Sequence, residues 1–198
     1  MINYRLALDS DLLQVAQIHK AQFPTHYLGQ FSISLLRAFY KNLLEDGHVF
    51  VVAEENGEVF GFVLGGEWKK ISESLSSFMK KNFVRSLLET SVRPKTWKKS
   101  IQKIVSIFSN KVRDPNNLDN IETYTLLSIA TGKNIQGKGV GTGLINAFEK
   151  EMIRITPRYY LSVQDTNERA IAFYKKMGFV QAYICPGEIQ MIKALVNE

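Results

Sequence analysis

Gln136-Gly137-Lys138-Gly139-Val140-Gly141-Thr142 lies between two segments of different period. Before it runs Thr125-Leu126-Leu127-Ser128-Ile129-Ala130, a β-like run. After it, Leu144, Phe148, Met152 and Ile155 recur at helical spacing. The order is therefore strand, glycine-rich loop, helix. Such a loop aims several backbone N–H groups at one point, and the helix N-terminus adds partial positive charge there. Glycine keeps side chains out of the way of an approaching anion. A P-loop is excluded, because Gly139 stands where the Mg²⁺-binding hydroxyl belongs. The dinucleotide pattern G-x-G-x-x-G fails at Thr142. What remains is Q-x-x-G-x-G, as Gln136, Gly139 and Gly141. Alone, that pattern also fits an ordinary turn between strand and helix.

A second stretch narrows the reading. Asn167-Glu168-Arg169-Ala170-Ile171-Ala172-Phe173-Tyr174-Lys175-Lys176-Met177-Gly178-Phe179 follows the pattern N-x-x-A-x-x-F-Y-x-K-x-G-F, one helix and one strand downstream. Together the two motifs, over residues 122–184, resemble the GNAT N-acetyltransferase superfamily. The resemblance implies a single α+β domain with a mostly antiparallel twisted sheet of six or seven strands. That sheet would splay between strands four and five and be flanked by helices. It also implies acetyl-CoA as donor, an amine as acceptor and direct attack in a ternary complex.

The resemblance assigns residues as well. The backbone of Gln136, Gly137, Lys138, Gly139, Val140, Gly141 and Thr142 would hold the pyrophosphate, with Lys138 either adding charge or remaining a solvated loop lysine. Ile129, Ala130 and Thr131 would lie beside the pantetheine, with an N–H near Ile129 or Ala130 as oxyanion donor. Where many relatives carry V-x-P, this chain has Thr131-Gly132-Lys133. Asn167 either bonds the cofactor arm or caps its helix. Tyr174 matches the tyrosine that protonates the leaving thiolate. The general base is not readable from the sequence: Glu122, where some relatives keep a catalytic glutamate, and His26 are candidates, and a water chain would serve equally.

Bulk properties bound the alternatives. A chain of 198 residues with 45% hydrophobic and 22% charged residues suits one soluble globular domain. No apolar run reaches a membrane span, and the N-terminus does not read as a signal peptide. A single cysteine, Cys185, precludes an internal disulfide and fits a cytoplasmic setting. Three scattered histidines and that cysteine make no metal cluster.

Working outward, residues 3–8 read as a strand, and Asp9 or Ser10 as the cap of a helix carrying Leu12, Val15, Ala16 and His19. Pro24 ends that helix, and the loop Phe23 to Gly29 offers His26 and Tyr27 as acceptor contacts. A second helix presents Ile33, Leu36, Tyr40, Leu43 and Leu44. Strands His48–Glu54 and Glu58–Gly65 flank Asn56-Gly57, a hairpin signal. The fourth strand spans about 122–130, the fifth 159–163, and Phe179–Ile184 with Gln190–Leu195 closes the chain as a hairpin.

Between strands three and four, residues 67–113 read as a helical insertion with two apolar stripes. Leu75, Phe78, Met79, Phe83, Leu87 and Leu88 form one, and Trp97, Ile101, Ile104, Val105 and Phe108 the other. The insertion holds twelve Lys/Arg against three Glu, or +9, which leaves −3 for the rest of a chain of net charge +6. Its basic side is either a wet face of two packed helices or a surface for an anionic acceptor, such as a nucleotide-linked sugar, or an acidic membrane. Nucleic acid is not expected, since no basic motif with stacking aromatics is present. The other functional readings are a non-catalytic acyl-CoA-binding module and a membrane-surface adaptor. Monomer and homodimer are both open.

Overall fold

The computed structural model describes residues 1–82, 84–86 and 124–195. In chain order these form β1 (Asn3–Leu6), α1 (Leu12–Gln22), α2 (Ile33–Glu45), β2 (Val49–Glu55), β3 (Glu58–Glu67) and α3 (Trp68–Lys81). After them come β4 (Tyr124–Thr131), α4 (Val140–Met152), β5 (Arg158–Gln164), α5 (Glu168–Lys176), β6 (Val180–Cys185) and β7 (Glu188–Ala194). One seven-stranded sheet runs β1-β2-β3-β4-β5-β7-β6. Every pairing is antiparallel except β4 with β5. This is the mixed α/β architecture that the two motifs imply.

Strand alternation sends β2 side chains to both faces, because successive residues point opposite ways. Phe50 and Val52 join the core under α1, α2 and α3, while Val51 and Ala53 join the core under α4 and α5. Each fully buried Phe or Val among them contributes about 1.5–3 kcal/mol relative to exposure. On α1 the buried set is Leu12, Val15, Ala16 and His19, as the spacing predicts. On α2 the stripe is rotated: Leu35 and Phe39 join Leu36, Tyr40 and Leu43, while Ile33 and Leu44 are only partly buried. The β2–β3 turn has Asn56 at φ 53° and Gly57 at φ 82°, the conformation a primed two-residue hairpin requires.

Two boundaries differ from the sequence reading. Neither Asp9 nor Ser10 caps α1; a 3₁₀ turn at Asp9–Asp11 precedes it, and the Asp11 carboxylate accepts from the Leu8 N–H (2.8 Å) and from Arg5 (2.6 and 2.9 Å). The Arg5 hydrogen bonds keep Asp11 ionised despite its burial, so its pKa lies below the usual carboxylate range. β3 runs to Glu67, so the segment read as an insertion starts one residue later, with α3 packing Ile71, Leu75 and Phe78 against α2. β4 is described from Tyr124, which leaves Glu122 outside the described residues, together with Leu87, Leu88 and the stripe from Trp97 to Phe108. Among the described residues no helix is long and apolar enough to cross a membrane.

Candidate active site

The site is built on a fork in the sheet. β5 meets β4 through a single register pair, Thr125 with Tyr160. There the Thr125 hydroxyl donates to the Tyr160 carbonyl at 3.2 Å. Beyond that clasp β4 continues to Thr131 with only β3 beside it among the described residues, which leaves one edge of its backbone without a strand partner there.

The β3–β4 register decides which groups face the opening. Gly132 donates to the Phe60 carbonyl at 2.8 Å, and Thr131, Ala130 and Ile129 stand opposite Gly61, Phe62 and Val63. In an antiparallel ladder, hydrogen-bonded and non-hydrogen-bonded pairs alternate. The Ala130 N–H therefore turns to β3, and the N–H groups of Ile129 and Thr131 turn to the fork. Of the two oxyanion donors expected, the ladder leaves Ile129.

A bulge makes this geometry. Ser128 stands opposite Leu64 and Leu126 opposite Gly65, so Leu127 is the extra residue. It also breaks the alternation, since Leu126 and Ile129, three apart, face the α4 core together. Sequence periodicity did not signal it. Two close approaches on β3 accompany it: a Cβ at Gly65 would fall 2.3 Å from the Thr125 carbonyl oxygen, and one at Gly61 2.8 Å from that of Ala130.

At the end of β4 the glycine loop enters α4. Gly137 and Gly139 have φ of 82° and 80°, and a Cβ on either would meet nothing within 4 Å. Gly143 donates to Gly139, the first bond of the helix, and no side chain caps the turn. The N–H groups of Val140, Gly141 and Thr142 thus have no acceptor among the described residues, and the adjoining Gly137 and Gly139 border open space. That combination fits a bound pyrophosphate. The Val140 side chain is buried, so only its backbone is available. Lys138 is exposed, and its own N–H is used locally on Ile135 (3.3 Å). Gly143, which the motif does not include, is the glycine that packing requires, because a Cβ there would lie 2.1 Å from the Tyr4 ring.

Gln136 reaches both flanks of the fork. It accepts from Arg169 of α5 and donates to Gln22 of α1, both at 3.2 Å. Neither partner was singled out from sequence. Asn167 accepts from the Ala170 N–H at 3.1 Å, so its oxygen serves as the cap of α5.

Tyr174 projects from α5 into the α4 core and is 8% exposed. Its backbone is fixed by a Schellman ending: Phe179 donates to the Tyr174 carbonyl (3.0 Å) and Gly178, at φ 86°, to Lys175 (3.0 Å). Its hydroxyl makes no hydrogen bond to the described residues, and it is not among the polar atoms sealed from solvent. Burial pushes its pKa up to about 12. Of the acceptor-loop residues, His26 is exposed and Tyr27 is buried edge-on to Phe31 (5.2 Å), so only His26 is presented to solvent. Among the described residues no cluster of metal-binding side chains occurs.

Comparison with known proteins accords with this geometry. Residues 110–179 match the family model described as Acetyltransferase (GNAT) family. The chain is 28% identical over 183 residues to an N-alpha-acetyltransferase of Sulfolobus acidocaldarius, covering 90% of this chain and 80% of that one. Two solved structures share the fold. Ard1 from Thermoplasma volcanium is 18% identical with TM-score 0.59 and 99% of each chain covered. A Salmonella typhimurium acetyltransferase, solved with acetyl-CoA, is 16% identical with TM-score 0.60 and 100% and 95% covered. Both motifs, the forked sheet and the family model over residues 110–179 thus agree in their similarity to the GNAT N-acetyltransferase family.

Proposed function

We propose that the fork binds acetyl-CoA and that the protein moves its acetyl group to a primary amine. The observation that carries this is the unpaired edge of β4 beyond the Thr125–Tyr160 bridge, which ends at the uncapped turn of α4. An extended pantetheine arm adds to such an edge as a strand would. The N–H groups of Val140, Gly141 and Thr142 then hold the pyrophosphate at the positive end of α4. Asn167, whose oxygen is committed to its cap, has only its amide N–H₂ left for the cofactor arm.

The chemistry follows from the groups in place. A neutral amine attacks the thioester carbonyl, a C–N bond forms, and the Ile129 N–H receives the charge that gathers on oxygen. The C–S bond then breaks. Tyr174, protonated throughout the neutral range, donates a hydrogen bond to the departing sulfur and gives up its proton as the thiolate forms. The proton released by the amine leaves through water or through the bases named from sequence, Glu122 and His26. The Sulfolobus relative is an N-alpha-acetyltransferase, which puts peptide α-amines first among acceptors, ahead of amino sugars and other small amines. We read the whole chain as one domain, with the basic segment after β3 as an insertion that recruits anionic acceptors or an acidic surface.

Calorimetric titration with acetyl-CoA and CoA tests the donor site. Micromolar binding is expected, weakened at least about tenfold in Gly141→Val, which puts a bulky side chain in the loop, against Phe173, at a position of ordinary φ. Absence of binding to either ligand would overturn the catalytic reading.

A further inference from the structure

One hydrogen-bonded line crosses the fork and has no part in the chemistry above. Arg169 Nη1 donates to Gln136 Oε1, and Gln136 Nε2 donates to Gln22 Oε1, both at 3.2 Å. Arg169 stands in the first turn of α5 and Gln22 is the last residue of α1, so the line joins helices on opposite faces of the sheet. Its direction is fixed at one end. A guanidinium only donates, so Gln136 must turn its oxygen to Arg169 and its N–H₂ to Gln22. Gln22 must then answer with its own oxygen, which leaves its N–H₂ facing inward. That nitrogen is sealed from solvent and has no partner among the described residues. Leaving a buried donor unsatisfied costs free energy that an apolar side chain of the same length would avoid. Packing therefore gives no reason for a glutamine here.

The segments that the bond joins supply a reason. Gln136 opens the loop whose glycines lead into the uncapped turn of α4. Gln22 precedes the loop 23–29, which is folded on Phe23. The His26 N–H donates to the Phe23 carbonyl at 3.1 Å, and the two rings lie 5.2 Å apart. A Cβ on Gly29 would collide with the same carbonyl. Such a loop moves as one piece, so whatever fixes its first residue fixes the rest. We propose that Gln22 is a positioning residue: through Gln136 it ties the loop 23–29 to the pyrophosphate loop, so that donor binding orders the surface that receives the acceptor. This rests on the readings of the two loops given above. Gln22 touches no reacting atom, and the Gln136 amide is the contiguous contact along which the coupling travels.

Hydrogen exchange of the full-length protein, with CoA as the probe, tests this without an acceptor. The amides of His26, Gln30 and Phe31 each close a local turn, onto Phe23, Tyr27 and Leu28, and report opening of the loop. In the wild type, saturating CoA should slow their exchange at least about fivefold, together with that of Val140, Gly141 and Thr142. Gln22→Met keeps the length but drops both the tie and the sealed N–H₂. In it the α4 amides should still slow, and the loop amides by less than about twofold. The urea midpoint should not fall, and the Kd for CoA should stay within about threefold. Full slowing of the loop in Gln22→Met would overturn the positioning role alone, as would CoA affinity lost in step with the loop response. A wild type in which the α4 amides slow and the loop amides do not would overturn it too. Should Gln22→Met fail to fold, Gln22→Asn decides, since it keeps the amide but is one methylene too short to hold Gln136. No slowing at either place in the wild type would overturn the donor site itself, and this proposal with it.

Discussion

Tyr40 and Tyr174 are buried to a similar degree on opposite faces of the sheet, at 1% and 8% exposure, and the fold treats their hydroxyls in opposite ways. Tyr40 is held by His19 at 2.6 Å. A third buried tyrosine, Tyr159, donates to Glu149 at 2.6 Å, and Lys193 pairs with that carboxylate at 2.6 Å. Tyr174 has no such partner among the described residues. Buried hydroxyls are nearly always satisfied, so one left free beside an opening marks a group waiting for something from outside. The comparison therefore predicts two kinds of tyrosine mutant.

The largest effect belongs to the free hydroxyl. Tyr174→Phe is expected to lower kcat by roughly 10²–10⁴-fold, with the Kd for CoA and the urea midpoint almost unchanged. No protein hydrogen bond is lost, so stability has little to lose. A near-wild-type kcat would make Tyr174 another packing tyrosine and erase the contrast.

On the opposite face the His19–Tyr40 pair should be felt as pH dependence of folding. Burial, and secondarily the charge of His26, pushes the His19 pKa down to about 4 from an ordinary 6.5. Below pH 6.5 the unfolded chain therefore takes up a proton that the folded protein refuses. Stability is full above 6.5 and is lost as the pH falls toward 4, on the order of 3 kcal/mol in all. Urea melts at pH 7.5 and 5 should show a wild-type loss that His19→Gln reduces, after carboxylate effects common to both are subtracted. Equal losses in the two proteins would mean that His19 titrates normally.

Much of this was legible in the sequence because it depends on local rules. Asn56-Gly57 and Gly178 each demand positive φ, and each has it. The stripe on α1 follows helical spacing, and the family resemblance that the two motifs carry implied a fork after the fourth strand. What stayed hidden depends on long-range register. Nothing in Leu126-Leu127-Ser128-Ile129 announces a bulge, because the extra residue exists only relative to Leu64 and Gly65 across the ladder. Gly143 reads as a weak helix residue until Tyr4, far away in the chain, lies against it. His19 and Tyr40 look like stripe members that happen to be polar. Arg169 and Gln22 look like surface residues until Gln136 joins them.

The occupied tyrosine beside Tyr174 gives a smaller and opposite result. Burial first, then the Glu149 charge, raises the pKa of Tyr159, so it remains a neutral donor at any physiological pH. Tyr159→Phe removes a hydrogen bond to a partly buried carboxylate and should cost about 1.5–3 kcal/mol in urea melts. Lys193 still pairs with Glu149, which limits the damage. Acetyl transfer at saturating substrate should fall less than about tenfold, far short of the Tyr174→Phe effect. A large kcat loss with little destabilisation would place Tyr159 with Tyr174 rather than with Tyr40.

The finest test lies at the clasp of the fork, where a hydroxyl is both occupied and close to the cleft. Thr125 donates to the Tyr160 carbonyl at 3.2 Å, at the one register pair between β4 and β5. Valine has nearly the same shape, so Thr125→Val removes the hydrogen bond and leaves the packing. The expected cost is about 1 kcal/mol, the usual net worth of such a bond. The fork should not widen, because β4 is also held along its length by β3 and β5 by β7. The kcat should therefore stay within about threefold of wild type, with the Kd for CoA unchanged. That is the mirror image of Tyr174→Phe, with stability lost and activity kept. If Thr125→Val instead lowers kcat strongly while barely changing the urea midpoint, occupied and free hydroxyls no longer separate structure from chemistry. The clasp would then set the aim of the β4 edge as directly as the bulge does.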